Sequence, residues 1–159
     1  MWAVEHELTH VDERGAARMV DVSAKDVTSR EATAECFVRM AATTVAAIRE
    51  NSLKKGDALQ VARIAAIMAT KRTPELIPLT HPLPITGVDV DLDVQDDGVR
   101  VEVTARVSGR TGVEIEALTA AAVAGVTLID MVKSMERGVV IERVQLLYKA
   151  GGRSGEWKR

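Results

Sequence analysis

Two titratable residues lie one helical turn apart in an otherwise apolar stretch of the sequence. Asp130 and Lys133 stand at positions i and i+3 of the segment TLIDMVKSM, so in a helix they share one face. Surface ion pairs with this spacing are common and weak, and spacing alone favours a structural pair. In a cleft, a desolvated lysine exchanges protons near neutral pH while a carboxylate orients it. The pair is therefore a candidate for acid/base catalysis.

A second set of candidates consists of groups that suit an anionic, nitrogen-rich ligand. Lys54-Lys55-Gly56-Asp57 places cations beside a predicted helix N-terminus, which favours anions, although a solvated loop explains the same residues. Thr80 and His81 both donate and accept hydrogen bonds, and prolines 82 and 84 follow them. A turn histidine bonded to the backbone is the alternative for His81.

Two later segments add further candidate ligand-binding groups, which are acidic in the first segment and basic in the second. Glu114 and Glu116 stand at the predicted start of the longest helix, where a carboxylate can accept the N–H donors of a guanine edge. Their alternative is a favourable interaction with the helix dipole. Lys149 with Gly151-Gly152-Arg153-Ser154-Gly155 is basic and flexible enough to wrap phosphate, but it lacks Walker spacing.

The segment His6-Glu7-Leu8-Thr9-His10 matches the H-E-x-x-H zinc motif. A zinc hydrolase would hold the metal with His6 and His10 on a packed helix, with His81 as a further ligand in space. Thr9 and Gly15 do not favour a long helix here. We therefore favour a polar N-terminal segment without metal over the hydrolase.

Composition restricts the classes of partner. The chain has 159 residues, with 21 Lys and Arg against 23 Asp and Glu, a net charge of -2 that argues against a nucleic-acid binder. Its lone cysteine suits a reducing compartment, and the first fifteen residues lack the apolar core of a signal peptide. The longest nearly apolar run, residues 117–129, is shorter than the roughly eighteen residues of a membrane span. We expect a soluble, cytoplasmic protein with neither nucleic-acid nor membrane partners.

The elements that must position these residues follow from hydrophobic periodicity. The predicted order is β, α, α, β, β, α, β, with a further short strand possible near residues 19–22. Asp57 caps a second helix that ends before Pro74 and carries Val61, Ile64, Ala65 and Met68 on one apolar face. Split β-α-β units of this kind predict a ferredoxin-like α+β fold, an antiparallel sheet with helices packed on one face. We expect one domain over residues 1–159, with a flexible N-terminus (about 1–10) and a flexible C-terminal tail (about 150–159).

Motifs along nearly the whole chain resemble those of the MoaC family. In the first half they are Leu8-Thr9-His10, Met19-Val20-Asp21-Val22-Ser23, Lys55-Gly56-Asp57, Ala62-Arg63-Ile64-Ala65 and Lys71-Arg72-Thr73. In the second half they are residues 76–83 (LIPLTHPL), residues 111–119 (TGVEIEALT), Asp130-Met131-Val132-Lys133 and Lys149-Ala150-Gly151-Gly152. Only the Leu-Thr-His half of the zinc-like motif belongs to this pattern.

The resemblance implies a lyase that acts in molybdenum cofactor biosynthesis. Such an enzyme converts 3′,8-cyclo-7,8-dihydro-GTP to cyclic pyranopterin monophosphate and releases diphosphate. By similarity Asp130 is the catalytic acid/base, and Lys133 and Lys55 exchange protons and contact phosphate. The substrate-binding residues that it implies are Leu79, Thr80, His81, Ile115 and Glu116, with Glu114, Arg30 and Lys149 as further contributors. The family usually has Cys where this chain has Thr80, which keeps the hydrogen-bonding capacity.

The resemblance also implies a homo-oligomer, a hexamer built as a trimer of dimers, with sites shared between subunits. No cofactor and no metal are expected, and Mg²⁺ accompanying the triphosphate is left open. The alternative function is a non-catalytic nucleotide-binding or assembly protein on the same fold, which would not need the Asp130–Lys133 pair. Glu116 and Asp130 lie fourteen residues apart on one predicted helix, roughly 21 Å along its axis, too far to serve one compact ligand within one chain.

Overall fold

A five-stranded antiparallel sheet forms the backbone of the molecule in a computed structural model that describes residues 9–159. Its elements, in chain order, are β1 (Thr28–Arg39), α1 (Ala42–Arg49), α2 (Ala58–Leu76), β2 (Ile85–Gln95), β3 (Gly98–Gly109), α3 (Glu114–Val132), β4 (Val140–Ala150) and β5 (Trp157–Lys158). The strand order is β2-β3-β1-β4-β5, with every neighbouring pair antiparallel. This arrangement confirms the predicted α+β, ferredoxin-like fold. The further short strand that was possible near residues 19–22 does not form in the described chain.

The central strand β1 shows why period-two alternation predicted a sheet. Its alternate residues Ala32, Ala34, Cys36 and Val38 are fully buried on the side that contacts the helices. The opposite face carries Glu35, which is itself buried and accepts hydrogen bonds from Arg100 on β3 and from Arg143 and Gln145 on β4. These charge-assisted bonds compensate for burying the carboxylate.

Helix α3 lies against the sheet and contacts β1, β3, β4 and α2. Gly125 permits close approach, because a Cβ there would come within 2.9 Å of Ile141 and 3.2 Å of the Cys36 sulfur. Within the described residues α3 is the one helix long and apolar enough, by length and composition, to cross a membrane, and half of its apolar window is buried in this fold. Its small apolar residues therefore serve the packing between helix and sheet.

The structure corrects two predictions for α2. The helix does not end before Pro74 but continues to Leu76. Pro74 lies in the last turn, so its missing N–H removes only one hydrogen bond, the one to the carbonyl of residue 70.

The buried face of α2 also differs from the predicted apolar face. Val61, Ile64 and Met68 are 41%, 57% and 46% exposed. The helix contacts α3 and β2, and the residues that it buries have small side chains, namely Ala58, Ala62, Ala66, Ala69, Thr70 and Thr73. Close helix packing selects small residues, so the larger apolar side chains remain on the outer surface.

The two chain ends were both predicted to be flexible. Residues 1–8 lie outside the described part of the chain. At the C-terminal end, Gly151 and Gly152 adopt φ angles of 96° and 75°, and the chain turns back so that β5 pairs with Tyr148 and Lys149 of β4. The single-domain assignment and the mobility of the ends stay predictions.

Candidate functional site

The two ends of α3 carry two groups of the predicted functional residues. Glu114 and Glu116 lie in its first turn, while Asp130 lies in its last turn and Lys133 is its C-cap residue. The carboxylates of Glu116 and Asp130 thus belong to one continuous helix, and about 21 Å of helix axis separates them. The structure places the predicted residues in two clusters within one chain and does not bring the clusters together.

The first group, called here the acid–lysine cluster, consists of Lys55, Asp130 and Lys133. Lys55 Nζ donates hydrogen bonds of 2.9 Å to both Asp130 Oδ2 and the Asp130 carbonyl oxygen. Lys133 Nζ lies 2.7 Å from Asp130 Oδ1. Each carboxylate oxygen therefore contacts a separate ammonium group.

Local structure before α2 brings Lys55 to this position. Gly56 has a φ of 95°, a left-handed conformation that favours glycine, and its N–H bonds to the Leu53 carbonyl. Asp57 then caps α2, as predicted, by accepting a hydrogen bond from the Gln60 N–H. This tight turn presents Lys55 to the C-terminal end of α3, 75 residues further along the chain.

The charges in the acid–lysine cluster determine its chemistry in the ligand-free state. Hydrogen bonds from Lys133 and Lys55 lower the pKa of Asp130 to about 2. Asp130 is therefore ionised near neutral pH, and in this state it is a weak base that orients both lysines. Proton transfer by Asp130 itself requires a ligand to displace at least one ammonium group.

The second group surrounds a cavity of about 290 Å³, called here the binding pocket. The start of α3, the proline-containing loop before β2 and the segment before β1 form its walls. All five predicted substrate-binding residues line it: Leu79, Thr80, His81, Ile115 and Glu116. Its remaining lining residues are Thr9, His10, Val20, Val22, Lys25, Thr111 and Gly112.

Hydrogen bonds hold the loop residues of the binding pocket in place. His81 Nε2 lies 2.7 Å from the Val20 carbonyl oxygen, which can only accept, so Nε2 carries a proton. Nδ1 of a neutral His81 then remains an acceptor. The Thr80 hydroxyl donates to the Ile77 carbonyl at 2.8 Å, which stabilises the turn and leaves its oxygen able to accept from a ligand.

Glu116 is the buried acid of the binding pocket. Glu116 is only 2% exposed. This burial, with a smaller contribution from the charge of Glu114, raises the pKa of Glu116 to about 7. The carboxyl group is thus partly protonated at neutral pH and can donate as well as accept a hydrogen bond. Such a group suits the edge of a nitrogen heterocycle, which presents both donors and acceptors.

The three further residues of the resemblance lie close to the binding pocket. Lys149 Nζ lies 3.5 Å from Glu114 Oε1 and also bonds to the Ser154 hydroxyl. Arg30 donates to the carbonyl oxygens of Gly109 and Arg110, each at 3.1 Å.

Arg30 also lines a neighbouring cavity of about 420 Å³, called here the cationic cavity, together with Lys25, Arg110 and Arg153. Sequence reasoning noted Arg153 in its glycine-rich segment but missed Lys25 and Arg110. Their only signal was position: Lys25 lies two residues after the end of the MVDVS motif, and Arg110 directly precedes the TGVEIEALT motif.

The described residues contain no group of three or more His, Cys, Asp or Glu arranged to hold a metal ion. His10 lies on the wall of the binding pocket, whereas His6 and Glu7 of the zinc-like motif fall outside residues 9–159. The expected lack of a metal and of a cofactor stays a prediction.

Comparison with known proteins gives a consistent result along the chain. The profile of the MoaC family matches residues 19–152. A cyclic pyranopterin monophosphate synthase of Streptomyces coelicolor is 55% identical over 155 residues, which cover 98% of this chain and 91% of that protein. Proteins of the same name from Thermomicrobium roseum and Parvibaculum lavamentivorans are 56% and 57% identical, over 96% of this chain and 93% and 96% of their own lengths.

Proposed function

This chain belongs to the MoaC family, and from that membership we propose that it is the lyase that forms cyclic pyranopterin monophosphate in molybdenum cofactor biosynthesis. Its substrate is 3′,8-cyclo-7,8-dihydro-GTP and its second product is diphosphate. The high identity and near-complete coverage of relatives bearing the synthase name support this activity.

The acid–lysine cluster is the observation that favours catalysis over binding alone. A non-catalytic nucleotide-binding protein needs the binding pocket but has no use for two lysines from different parts of the chain that converge on one carboxylate. Their contacts with Asp130 hold the Lys55 and Lys133 ammonium groups in a fixed geometry, which proton transfer requires.

The geometry suggests a division of roles between the two clusters. In the binding pocket, Glu116 and His81 hold the nitrogen-rich edge of the purine-derived ring, and the loop residues Leu79 and Thr80 with Ile115 complete its walls. At the acid–lysine cluster, a base accepts the proton of a ribose-derived hydroxyl as its oxygen bonds to the α-phosphorus. The bond from that phosphorus to the bridging oxygen breaks, and the diphosphate leaves with its charge stabilised by ammonium groups.

Assembly follows from the distance between the clusters. About 21 Å of α3 separates Glu116 from Asp130, so a complete site combines the binding pocket of one subunit with the acid–lysine cluster of another. The uncovered apolar residues Val61, Ile64 and Met68 on α2 offer a surface for such association. We propose a hexamer formed as a trimer of dimers. We also propose a cytoplasmic location, which suits the lone, buried Cys36.

Turnover of the proposed substrate tests this function directly. The purified protein is incubated with 3′,8-cyclo-7,8-dihydro-GTP, and the product is oxidised to a fluorescent pterin and quantified. We expect pterin and diphosphate in equal amounts. Tight binding of the substrate without product would instead support the non-catalytic alternative. Stoichiometric zinc in a metal analysis would support the zinc hydrolase.

A further inference from the structure

The chain segment after α3 contains one acidic residue that turns inward. Every residue of the segment 133–138 is exposed except Glu136, which is half-buried. The N–H groups of Met135 and Glu136 bond to the Val132 carbonyl at 2.8 and 3.1 Å. The side chain of Glu136 therefore projects from a turn that directly continues α3.

The carboxylate of Glu136 contacts the start of α1, 95 residues earlier in the chain. Glu136 Oε2 accepts hydrogen bonds from the Ala41 N–H at 2.9 Å and from the Thr44 hydroxyl at 2.7 Å. Oε1 also accepts from the Ala41 N–H, at 3.2 Å. Thr44 is 2% exposed, so water cannot readily replace the carboxylate as the partner of its hydroxyl.

This contact completes a helix cap whose parts are far apart in the sequence. Ala41 is the N-cap residue of α1 and makes no side-chain cap, and the first turn of α1 contains no acidic residue. In a capping box, a Glu or Gln at the third helical position accepts a hydrogen bond from the N-cap N–H. That position is Thr44 in α1, and Glu136 supplies the missing carboxylate. Its negative charge also interacts favourably with the positive end of the helix dipole.

Helix α1 gives this carboxylate a fixed support. Val45 and Ile48 are buried in the hydrophobic core. The Met40 N–H, directly before the helix, bonds to the Asp97 carbonyl in the turn between β2 and β3 at 3.0 Å. The turn after α3 is therefore anchored to the sheet through α1.

Lys133 of the acid–lysine cluster lies in the same turn, three residues before Glu136. Its ammonium lies 2.7 Å from Asp130 Oδ1, but its side chain is 58% exposed, so little packing restricts it. Lys133 borders a surface cavity together with Ser134 and Arg137, whereas Glu136 does not line that cavity. One side of the turn thus carries the lysine, and the other side is fixed on α1.

We propose that Glu136 is a positioning residue for Lys133: its hydrogen bonds to Ala41 and Thr44 fix the turn after α3 and thereby hold the Lys133 ammonium on Asp130. This inference rests on the proposed function for the role of Lys133 in catalysis. Without the anchor, the stem of Lys133 can shift relative to Asp130. Misplacement of a reacting group by about 1 Å lowers the rate by roughly 10²-fold.

Turnover of the cyclised nucleotide by substituted proteins tests this role. Glu136→Ala should lower kcat by roughly 10- to 100-fold. Glu136→Gln should retain most of the rate, because its amide oxygen still accepts from the Ala41 N–H and its NH₂ group can donate to the Thr44 oxygen. Glu50→Ala is the matched control, since it removes an exposed carboxylate at the opposite end of α1. Wild-type kcat in Glu136→Ala would overturn the proposal.

A double variant separates positioning of Lys133 from a general structural role. When Lys133→Ala is already present, Glu136→Ala should lower kcat no further, because the group that Glu136 positions is absent. A loss in the double variant equal to the product of the two single losses would show that Glu136 acts independently of Lys133. That outcome would refute the positioning role.

Hydrogen exchange measured by mass spectrometry tests the anchor without the reaction. The amides of residues 133–138 should exchange faster in Glu136→Ala and in Thr44→Val, which removes the hydroxyl that donates to Glu136. The Glu136→Gln and Glu50→Ala proteins should exchange as wild type does. Unchanged exchange in Glu136→Ala would overturn the proposal even if kcat falls. Faster exchange, together with no pterin from wild type, would support the anchor and refute the proposed function.

Discussion

Asp130 is the residue whose environment constrains the chemistry most. Both of its oxygens accept from lysines, and its pKa is lowered to about 2, so it stays ionised well below neutral pH in the ligand-free enzyme. An acidic limb of kcat/KM above about pH 4, which reports on the free enzyme, must therefore originate in another group.

Asp130→Asn tests the catalytic assignment. An amide cannot exchange protons, and its NH₂ group would face one of the two ammonium groups. We expect turnover to fall by roughly 10² to 10⁴ while nucleotide binding stays nearly intact, because the substitution removes a proton-transfer group and leaves the residues of the binding pocket unchanged. Pterin formation and calorimetric titration with GTP measure the two quantities. Asp91→Asn, at an exposed strand position, is the control, and comparable turnover by Asp130→Asn would refute the role.

The roles of Lys55 and Lys133 are tested by alanine substitution, with the neighbouring Lys54 as the control. Lys55→Ala and Lys133→Ala should each lower the rate and the phosphate affinity together, since each cation contacts Asp130 and can also contact phosphate. Lys54→Ala is the matched control, because Lys54 is exposed and its ammonium contacts no carboxylate within the described residues. Wild-type kinetics in either variant would identify that lysine as a solvated surface group.

Glu116 predicts a dependence of stability on pH. Burial raises its pKa from 4.5 to about 7, so folding favours the protonated form. The resulting stabilisation is complete below about pH 4.5 and is lost as the pH rises through about 7, a change of about 3 kcal/mol. Urea unfolding at pH 5 and pH 8 should show this loss in wild type and not in Glu116→Gln. The exposed Glu75→Gln variant should behave as wild type, and parallel pH profiles in all three proteins would contradict the prediction.

At the scale of elements, α3 and the turn after β4 position the two clusters and the cationic cavity. The turn contains Gly151, Gly152 and Gly155, all with positive φ. At Gly151 a Cβ would overlap the backbone carbonyl of Ser29 on β1, whereas nothing lies within 4 Å of a Cβ at Gly155. The join between β4 and β5 thus depends on glycine for two different reasons.

Alanine substitution separates these reasons. Gly155→Ala adds only the left-handed backbone cost, so we expect a loss of about 1 kcal/mol in the free energy of unfolding. Gly151→Ala must in addition displace the backbone of β1, and a loss of roughly 3 kcal/mol or more is expected. Urea denaturation of both variants measures the difference. Similar stabilities would show that the turn moves away from β1 without cost.

At the scale of the whole molecule, the separation of Glu116 from Asp130 leads us to predict that activity requires oligomerisation. Each chain holds one binding pocket and one acid–lysine cluster at opposite ends of α3. In the proposed oligomer, a shared site joins complementary halves from two copies of the same chain.

Complementation between inactive variants tests the shared site. Glu116→Ala and Asp130→Asn are dissociated, mixed in equal amounts and reassembled. Random pairing should recover up to about one quarter of wild-type activity, because that fraction of sites receives both native residues. Each variant reassembled alone is the control. No recovery in the mixture, or full activity of an isolated monomer, would show that one chain contains the entire site.

Much of the fold and part of the candidate site could be predicted from the sequence. Alternation in β1 and in the β2–β3 hairpin identified the sheet, because side chains of a strand point to its two faces in turn. The residues around the binding pocket were identified by motif, and Asp57 was recognised as a cap because its hydrogen bond spans only three residues. These are local relations, in which sequence neighbours are also neighbours in space.

Only the tertiary structure decided the relations between distant residues. It determined that Lys55 contacts Asp130, that Glu116 is buried, that α2 packs through alanines while Val61 and Ile64 remain exposed, and that four cations line one cavity. Hydrophobic periodicity shows which residues share a face, but it does not show which face another element will cover. Pairing across 75 residues and the burial of a carboxyl group depend on packing between elements, so their chemistry exists only in the folded chain.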